Sequence, residues 1–258
     1  MNAVTPLRVV ITGASSGLGL ALARHYLERG ATVAALARRG ELLQTLTAEF
    51  SDRVFCYMLD VRDSPALQNA ANDFIARAGV PDVVIANAGV SVGTLTEDAA
   101  DLAAFQQVMD INVLGIVKTF QPFVGAMRAA QKGTLVGIAS VAGIRGLPGA
   151  AAYSASKAAA ISYLESLRVE LHGSGVKAVT ICPGYIKTPM TSINPYTMPF
   201  ILDAEDAAGR MALAIARQTP FTVVPWQMGL VARILEWLPC WFYDYLFARA
   251  PRKPRGFI

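Results

Sequence analysis

Tyr153-Ser154-Ala155-Ser156-Lys157 places a phenol and an ammonium one helical turn apart. Residues at i and i+4 share a helix face, so the lysine charge can sit near the tyrosine oxygen. A free tyrosine has a pKa of about 10 and is protonated at neutral pH. A neighbouring cation favours the phenolate and moves the group toward the range useful for acid/base catalysis. Lowering it by about three units would need about 4 kcal/mol of preferential phenolate stabilisation. One lysine rarely supplies that alone, and a bound cationic cofactor is the natural helper.

A second cluster lies near the N-terminus. Leu7 to Ile11 is an apolar run, Thr12-Gly13-Ala14-Ser15-Ser16-Gly17-Leu18-Gly19 follows at once, and Leu20 to Arg29 has helical character ended by Gly30. Strand, glycine-rich turn and helix in that order make a dinucleotide site. The glycines let backbone approach a pyrophosphate, and the helix start offers unpaired N–H groups to its charge. The spacing is Gly-x-x-x-Gly-x-Gly rather than the general Gly-x-Gly-x-x-Gly fingerprint.

Together these motifs resemble the short-chain dehydrogenase/reductase family over about Leu7 to Thr188. The resemblance implies that Thr12 to Gly19 is the cofactor loop, including Thr12, Gly13, Ser15, Ser16, Gly17, Leu18 and Gly19. Asp60-Val61 matches the pair beside the adenine ring, and Asn87-Ala88-Gly89 the motif that stabilises the central sheet. Pro183-Gly184, Ile186 and Thr188 match the nicotinamide-side loop. Asn112, Ser140, Tyr153 and Lys157 fall on the catalytic tetrad. The implied chemistry is hydride transfer between a carbonyl and a secondary alcohol. Tyr153 exchanges the proton, Ser140 hydrogen-bonds the same oxygen, and Lys157 lowers the tyrosine pKa and holds the nicotinamide ribose. Asn112 positions a water that links Lys157 to solvent. The alternative is a dinucleotide-sensing protein that keeps the fold without the chemistry.

Cofactor preference follows from the end of the second strand. An acidic residue there binds a free ribose 2′-hydroxyl, whereas an arginine accommodates a 2′-phosphate. The strand ends Leu36-Ala37-Arg38-Arg39. Arg38 offers a charged donor fork and Arg39 can add to it, so NADP(H) is expected over NAD(H). The alternative is that both arginines face water.

The elements that must position these residues alternate. Strands are expected at about 31–37, 53–59, 82–86, 134–139, 177–182 and 221–224. Helices are expected at about 41–50, 64–78, 100–130 and from Tyr153 to about His172. This order predicts an α/β, Rossmann-type, doubly wound parallel sheet of about seven strands with helices on both faces. A catalytic domain over 1–225 would be followed by an aromatic-rich extension over 226–258. The chain has 258 residues, 53% of them hydrophobic, and a formal net charge of +4. Its cations are spread rather than blocked, which argues against nucleic-acid binding. Cys56, Cys182 and Cys240 are far apart and lack metal-ligand spacing. With only His25 and His172 as histidines, no metal centre is expected. The cysteine usage suits a reducing compartment, and Met1 to Pro6 is too short and polar for a signal peptide. A cytoplasmic enzyme is expected, dimeric through its long helices.

Substrate contacts implied by the resemblance come from Val90 to Thr96, Val141 to Ala150 and Met190 to Leu202. Ile144, Leu147, Ile193, Tyr196, Met198, Phe200 and Ile201 make these segments apolar, with Arg145 as the one charge. A hydrophobic, lipid-like or steroid-like carbonyl or alcohol is expected. Beyond Trp226, apolar residues recur at helical spacing, break at Pro239 and resume. Each piece is too short to span a bilayer. Aromatic, amphipathic pieces followed by Arg249, Arg252, Lys253 and Arg255 suit an anionic membrane surface. The alternatives are a lid over the substrate pocket and a dimer contact.

Overall fold

The computed structural model of the chain describes residues 6–255. The reading of Met1 to Pro6 therefore lies, apart from Pro6, outside the described residues, as do the last three residues of the extension. The elements run β1 (Arg8–Thr12), α1 (Gly17–Glu28), β2 (Thr32–Ala37), α2 (Gly40–Phe50), β3 (Val54–Met58), α3 (Ser64–Ala78) and β4 (Val83–Ala86). They continue α4 (Asp101–Met109), α5 (Gly115–Ala129), β5 (Gly133–Ile138), α6 (Ala151–Glu170), β6 (Val176–Pro183) and α7 (Pro189–Ser192). The last are α8 (Ala204–Ala216), β7 (Phe221–Val224), α9 (Trp226–Trp237) and α10 (Cys240–Phe247).

The strands form one parallel sheet in the order β3-β2-β1-β4-β5-β6-β7. Alternate residues of each strand point to opposite faces, and both faces are dry. Val9 and Ile11 meet Leu22, Leu27, Met211 and Ile215 of α1 and α8 on one side. Val10 meets the opposite layer, where Phe74, Phe120, Phe123 and Leu164 of α3, α5 and α6 pack. Burial on both faces is why the strands read as continuous apolar runs rather than alternating ones.

Three elements differ from the sequence expectation, the four-residue helix α7 among them. The helix expected at 100–130 is divided, because Asp110–Leu114 between α4 and α5 is a π turn. A π turn inserts one residue into the helical ladder and re-aims the side chains around it; Asn112 lies in this one. Ala204–Ala216 forms α8, a helix that the strand-and-helix reading does not include. Its buried face is almost entirely alanine, with Met211 and Ile215, which blurs the contrast on which periodicity depends.

Candidate active site

The sheet order reverses between β1 and β4, and open α/β sheets bind ligands at such a switch point, beyond the carboxyl ends of the strands. Here the two ends are tied together. Thr12 Oγ1, at the end of β1, accepts hydrogen bonds from the backbone N–H groups of Asn87 and Ala88, both at 3.1 Å. Asn87 Nδ2 donates back to the Thr12 carbonyl at 2.9 Å. The glycine turn then lies directly above. Gly13 has φ +70°, and a Cβ there would come within 2.9 Å of both Ala88 Cα and Asn87 Nδ2. Only glycine fits this close approach and backbone angle.

Ser16 precedes α1 in an extended conformation and makes no side-chain cap. The first-turn N–H groups therefore lack a side-chain cap and face the cleft, as an anion requires. Arg39 Nη2 donates to Ser16 Oγ at 2.6 Å and Ser15 Oγ at 3.3 Å, which places its guanidinium on the rim of the turn. Arg38 lines the same cleft, and its charge helps hold Asp60 below the usual carboxylate range, after the larger effect of the Arg62 hydrogen bond. Asp60 is thus engaged by Arg62 at 2.8 Å while it and Val61 line the cavity.

The cavity, about 260 Å³, is lined by Gly13, Ser15 to Gly19, Arg38, Arg39, Asp60, Val61 and Asn87 to Gly89, and by Ser140, Tyr153, Lys157, Pro183, Gly184, Ile186 and Thr188. Thr12 lies beneath it as the clamp. A glycine-walled cradle, an uncapped helix start and two arginines at one end fit a dinucleotide. Met190 and Thr191 are the members of the expected substrate segment 190–202 that line this cavity, whereas Ile193 and Phe200 are exposed.

Ser140, Tyr153 and Lys157 line the cavity's other end, with Asn112 buried beside Gly89. Ser140 closes β5, and its hydroxyl accepts from the Ala142 N–H at 3.1 Å. Tyr153 and Lys157 project from the first turns of α6. Asn112 is fully buried; its Oδ1 accepts from Val90 N at 2.8 Å, and its Nδ2 donates to Val90 O at 2.9 Å and Ser156 Oγ at 3.0 Å. Its amide thereby locks the segment after β4 to α6. Ser156, absent from the sequence-based list, is the other half of that lock and donates to the Tyr153 carbonyl at 2.7 Å. A Cβ on Gly89 would stand 3.2 Å from Asn112 Oδ1 and 3.5 Å from Lys157 Nζ, so a bare backbone keeps the space between them open.

Burial dominates the electrostatics of the Tyr153 and Lys157 pair. Lys157 donates to the Ile138 carbonyl at 2.8 Å, and its ammonium lies 5.8 Å from the centre of the Tyr153 ring. Burial raises Tyr153 above its ordinary value, opposed by a hydrogen bond with Ser140. Position four residues on brings the ammonium within 5.8 Å of the ring centre, on the side where the Ile138 carbonyl accepts from it. Burial also pushes Lys157 down to about 8. The buried Cys182 thiol nearby is pushed up to about 12 by burial and stays neutral.

The C-terminal segment returns to this end. Arg145 is half-buried and does not line the cleft. Its guanidinium stacks 4.4 Å from the Tyr243 ring and donates to the carbonyls of Glu236 and Leu238, while Tyr243 Oη donates to the Gly146 carbonyl at 2.6 Å. After α10 the chain crosses the loop that follows β4. Gly93 N donates to the Pro254 carbonyl at 2.9 Å, and Arg255 pairs with Asp98 and Asp101. Lys253 donates to Ser91 Oγ at 2.8 Å and to the Met190 carbonyl at 3.4 Å, with its ammonium 6.0 Å from the Tyr153 ring centre. The sequence places Lys253 only in a basic tail; a contact across 162 residues leaves no local pattern.

Among the described residues, no helix is long and apolar enough to cross a membrane, and no cluster of potential metal ligands occurs. The family model described as short chain dehydrogenase matches residues 8–196. An uncharacterized oxidoreductase of Myxococcus xanthus is 39% identical over 249 residues, covering 95% of this chain and 96% of that one. A short chain dehydrogenase from Burkholderia cenocepacia, solved in complex with NADP, superposes with a TM-score of 0.80 at 27% identity, covering 95% of this chain and 97% of its own. A short chain dehydrogenase/reductase from Burkholderia phymatum, solved with NAD, covers 100% of both chains with a TM-score of 0.81 at 23% identity and shares the fold. With the nucleotide cradle at the switch point and this extent of similarity, the chain belongs to the short-chain dehydrogenase/reductase family of oxidoreductases.

Proposed function

We propose that the protein is an NADP(H)-dependent enzyme interconverting a carbonyl and a secondary alcohol. The observation that carries this reading is the convergence of Ser140, Tyr153 and Lys157 at one end of a dinucleotide cradle whose other end carries Arg38 and Arg39. When bound, a nicotinamide dinucleotide supplies a hydride to the carbonyl carbon or accepts one from the alcohol. Tyr153, kept protonated by burial, donates its proton to the carbonyl oxygen, and Ser140 hydrogen-bonds that oxygen as charge develops on it. Lys157 stands behind the ring as the local cation, and Asn112 holds the Val90 backbone and α6 in register. At the adenine end, Arg39 on Ser15 and Ser16, with Arg38 beside it, supports recognition of a 2′-phosphate. Val90, Ile186 and Met190, which give the cavity apolar walls, support a hydrophobic substrate.

The division into a catalytic domain over 1–225 and an extension over 226–258 belongs to this reading. So does a homodimer through α4 and α5, where Leu102 is exposed, as is Leu114 in the π turn between them. The stripe of exposed aromatic residues on α9 and α10 supports a peripheral membrane contact at the cytoplasmic surface. A panel of ketones and aldehydes offered with NADPH or NADH tests the core of the reading. Carbonyl-dependent oxidation of NADPH, faster than that of NADH and made relatively slower by Arg38→Asp, is expected. No turnover with either cofactor across the panel would overturn it in favour of a dinucleotide-sensing protein.

A further inference from the structure

Three features of residues 251–255 bear on what the site accepts. The strap is held by groups other than Lys253: the backbone bond from Gly93 to Pro254 and the pairing of Arg255 with Asp98 and Asp101. Its seat is shaped for it, because a Cβ on Gly93 would collide with the Lys253 carbonyl oxygen, and one on Gly149, at φ +71°, would lie 2.8 Å from Arg252 Cβ. Lys253 itself is turned inward toward Tyr153.

Its ammonium has only neutral partners, the Ser91 hydroxyl and the Met190 carbonyl, the second at a long 3.4 Å. Among the described residues no carboxylate pairs with it. An ammonium has three donors, so at least one is left for a ligand. A partly desolvated cation without a counter-charge is costly, and an anion that neutralises it recovers that cost. Burial accordingly pushes Lys253 down to about 8, and no opposite charge holds it up. An anchor of the strap would be paired with a carboxylate, as Arg255 is; Lys253 has no such partner among the described residues and stands 6.0 Å from the centre of the Tyr153 ring.

We propose that the strap completes the substrate site and that Lys253 is a specificity-determining residue, binding a carboxylate carried by the substrate close to its reacting carbonyl. This rests on the carbonyl chemistry proposed above for Tyr153. The substrate class narrows from a hydrophobic carbonyl compound to an apolar oxo acid or hydroxy acid. The apolar walls take its chain and Lys253 its charge.

The test is calorimetric titration of the full chain, saturated with NADP⁺ or NAD⁺, with hexanoate and with 1-hexanol. The wild type should bind hexanoate the more tightly, and Lys253→Met should lose at least about tenfold in hexanoate affinity, the worth of one charge-assisted hydrogen bond, with hexanol affinity kept. Gly93→Val, which unseats the strap and leaves Lys253 in the chain, should reproduce that loss. Equal affinity of the wild type for acid and alcohol, or an unchanged preference in Lys253→Met, would overturn the proposal. Hexanoate selectivity without turnover of any carbonyl compound would uphold the anion site and sink the catalytic reading instead.

Discussion

A phenol that must give up a proton is helped by burial in one direction of the reaction and hindered in the other. Tyr153 is raised by its surroundings, so it enters reduction as a full proton donor. The opposite direction needs added positive charge near the phenol, of the kind that the Lys157 ammonium and a bound cationic cofactor supply. Tyr153→Phe keeps the ring and removes the proton. Turnover should fall by about 10²–10⁴, the usual worth of a positioned general acid, while the thermal midpoint and dinucleotide affinity stay near wild type. Stopped-flow or steady-state reduction with NADPH checks this, and near-normal turnover would exclude Tyr153 as the donor. Lys157 sets a second expectation. Its folded value is depressed to about 8, so the ammonium is present below pH 8 and lost as pH rises through it. Reduction of a saturating neutral ketone should therefore slow on the alkaline side of pH 8. The same limb should persist in Lys253→Met, which separates it from the strap lysine titrating in the same range.

At the scale of elements, the site depends on two parallel strand ends being kept at a fixed separation. Thr12 does this with one oxygen that accepts two backbone N–H groups. Thr12→Val would leave both donors without their acceptor in a buried setting, a cost of about 1–3 kcal/mol for each unsatisfied group. The expected result is a lower thermal midpoint together with weaker dinucleotide binding, and Thr12→Ser should restore both. A Thr12→Val protein with unchanged midpoint and affinity would show that the clamp is not what holds the crevice. This part of the site was legible in the sequence because its parts are local. Four buried residues of β4 run straight into Asn87-Ala88-Gly89, and β1 runs straight into the glycine turn. Tyr153 and Lys157 were likewise fixed to one helix face by their spacing. What the spacing could not show was that the Lys157 ammonium also donates to the Ile138 carbonyl of β5. Nor could it show that Asn112 spends its amide on Val90 and Ser156, since the π turn that aims it has no simple residue signature.

Over the whole molecule, the last segment does two things that its composition leaves as alternatives. Its end folds back across the loop after β4 toward Tyr153, as a lid would, through contacts with residues more than 150 positions away that no periodicity announces. Its helices, meanwhile, turn one face inward and leave the other bare. Met228, Ala232 and Tyr243 are buried against the body. Trp226, Leu230, Ile234, Trp237, Trp241 and Tyr245 recur at steps of three or four residues, continue across the break at Pro239, and are 54–85% exposed. Exposed apolar rows of this kind are typical of interaction surfaces, and indole and phenol rings favour the interfacial zone of a bilayer. The nearby Arg249 and Arg252 are exposed and suit anionic headgroups. The full chain should therefore float with vesicles containing phosphatidylserine at low salt and be released as salt rises, because the arginine contribution is screened. Trp237→Ser combined with Trp241→Ser removes two rings from the stripe without touching the packed face or the strap. That variant should lose most of its vesicle binding while keeping the wild-type thermal midpoint and the wild-type rate on a water-soluble carbonyl compound. Absence of wild-type flotation at low salt, with a concentration-dependent rise in mass that the double variant abolishes, would assign the stripe to contact between copies of the chain instead.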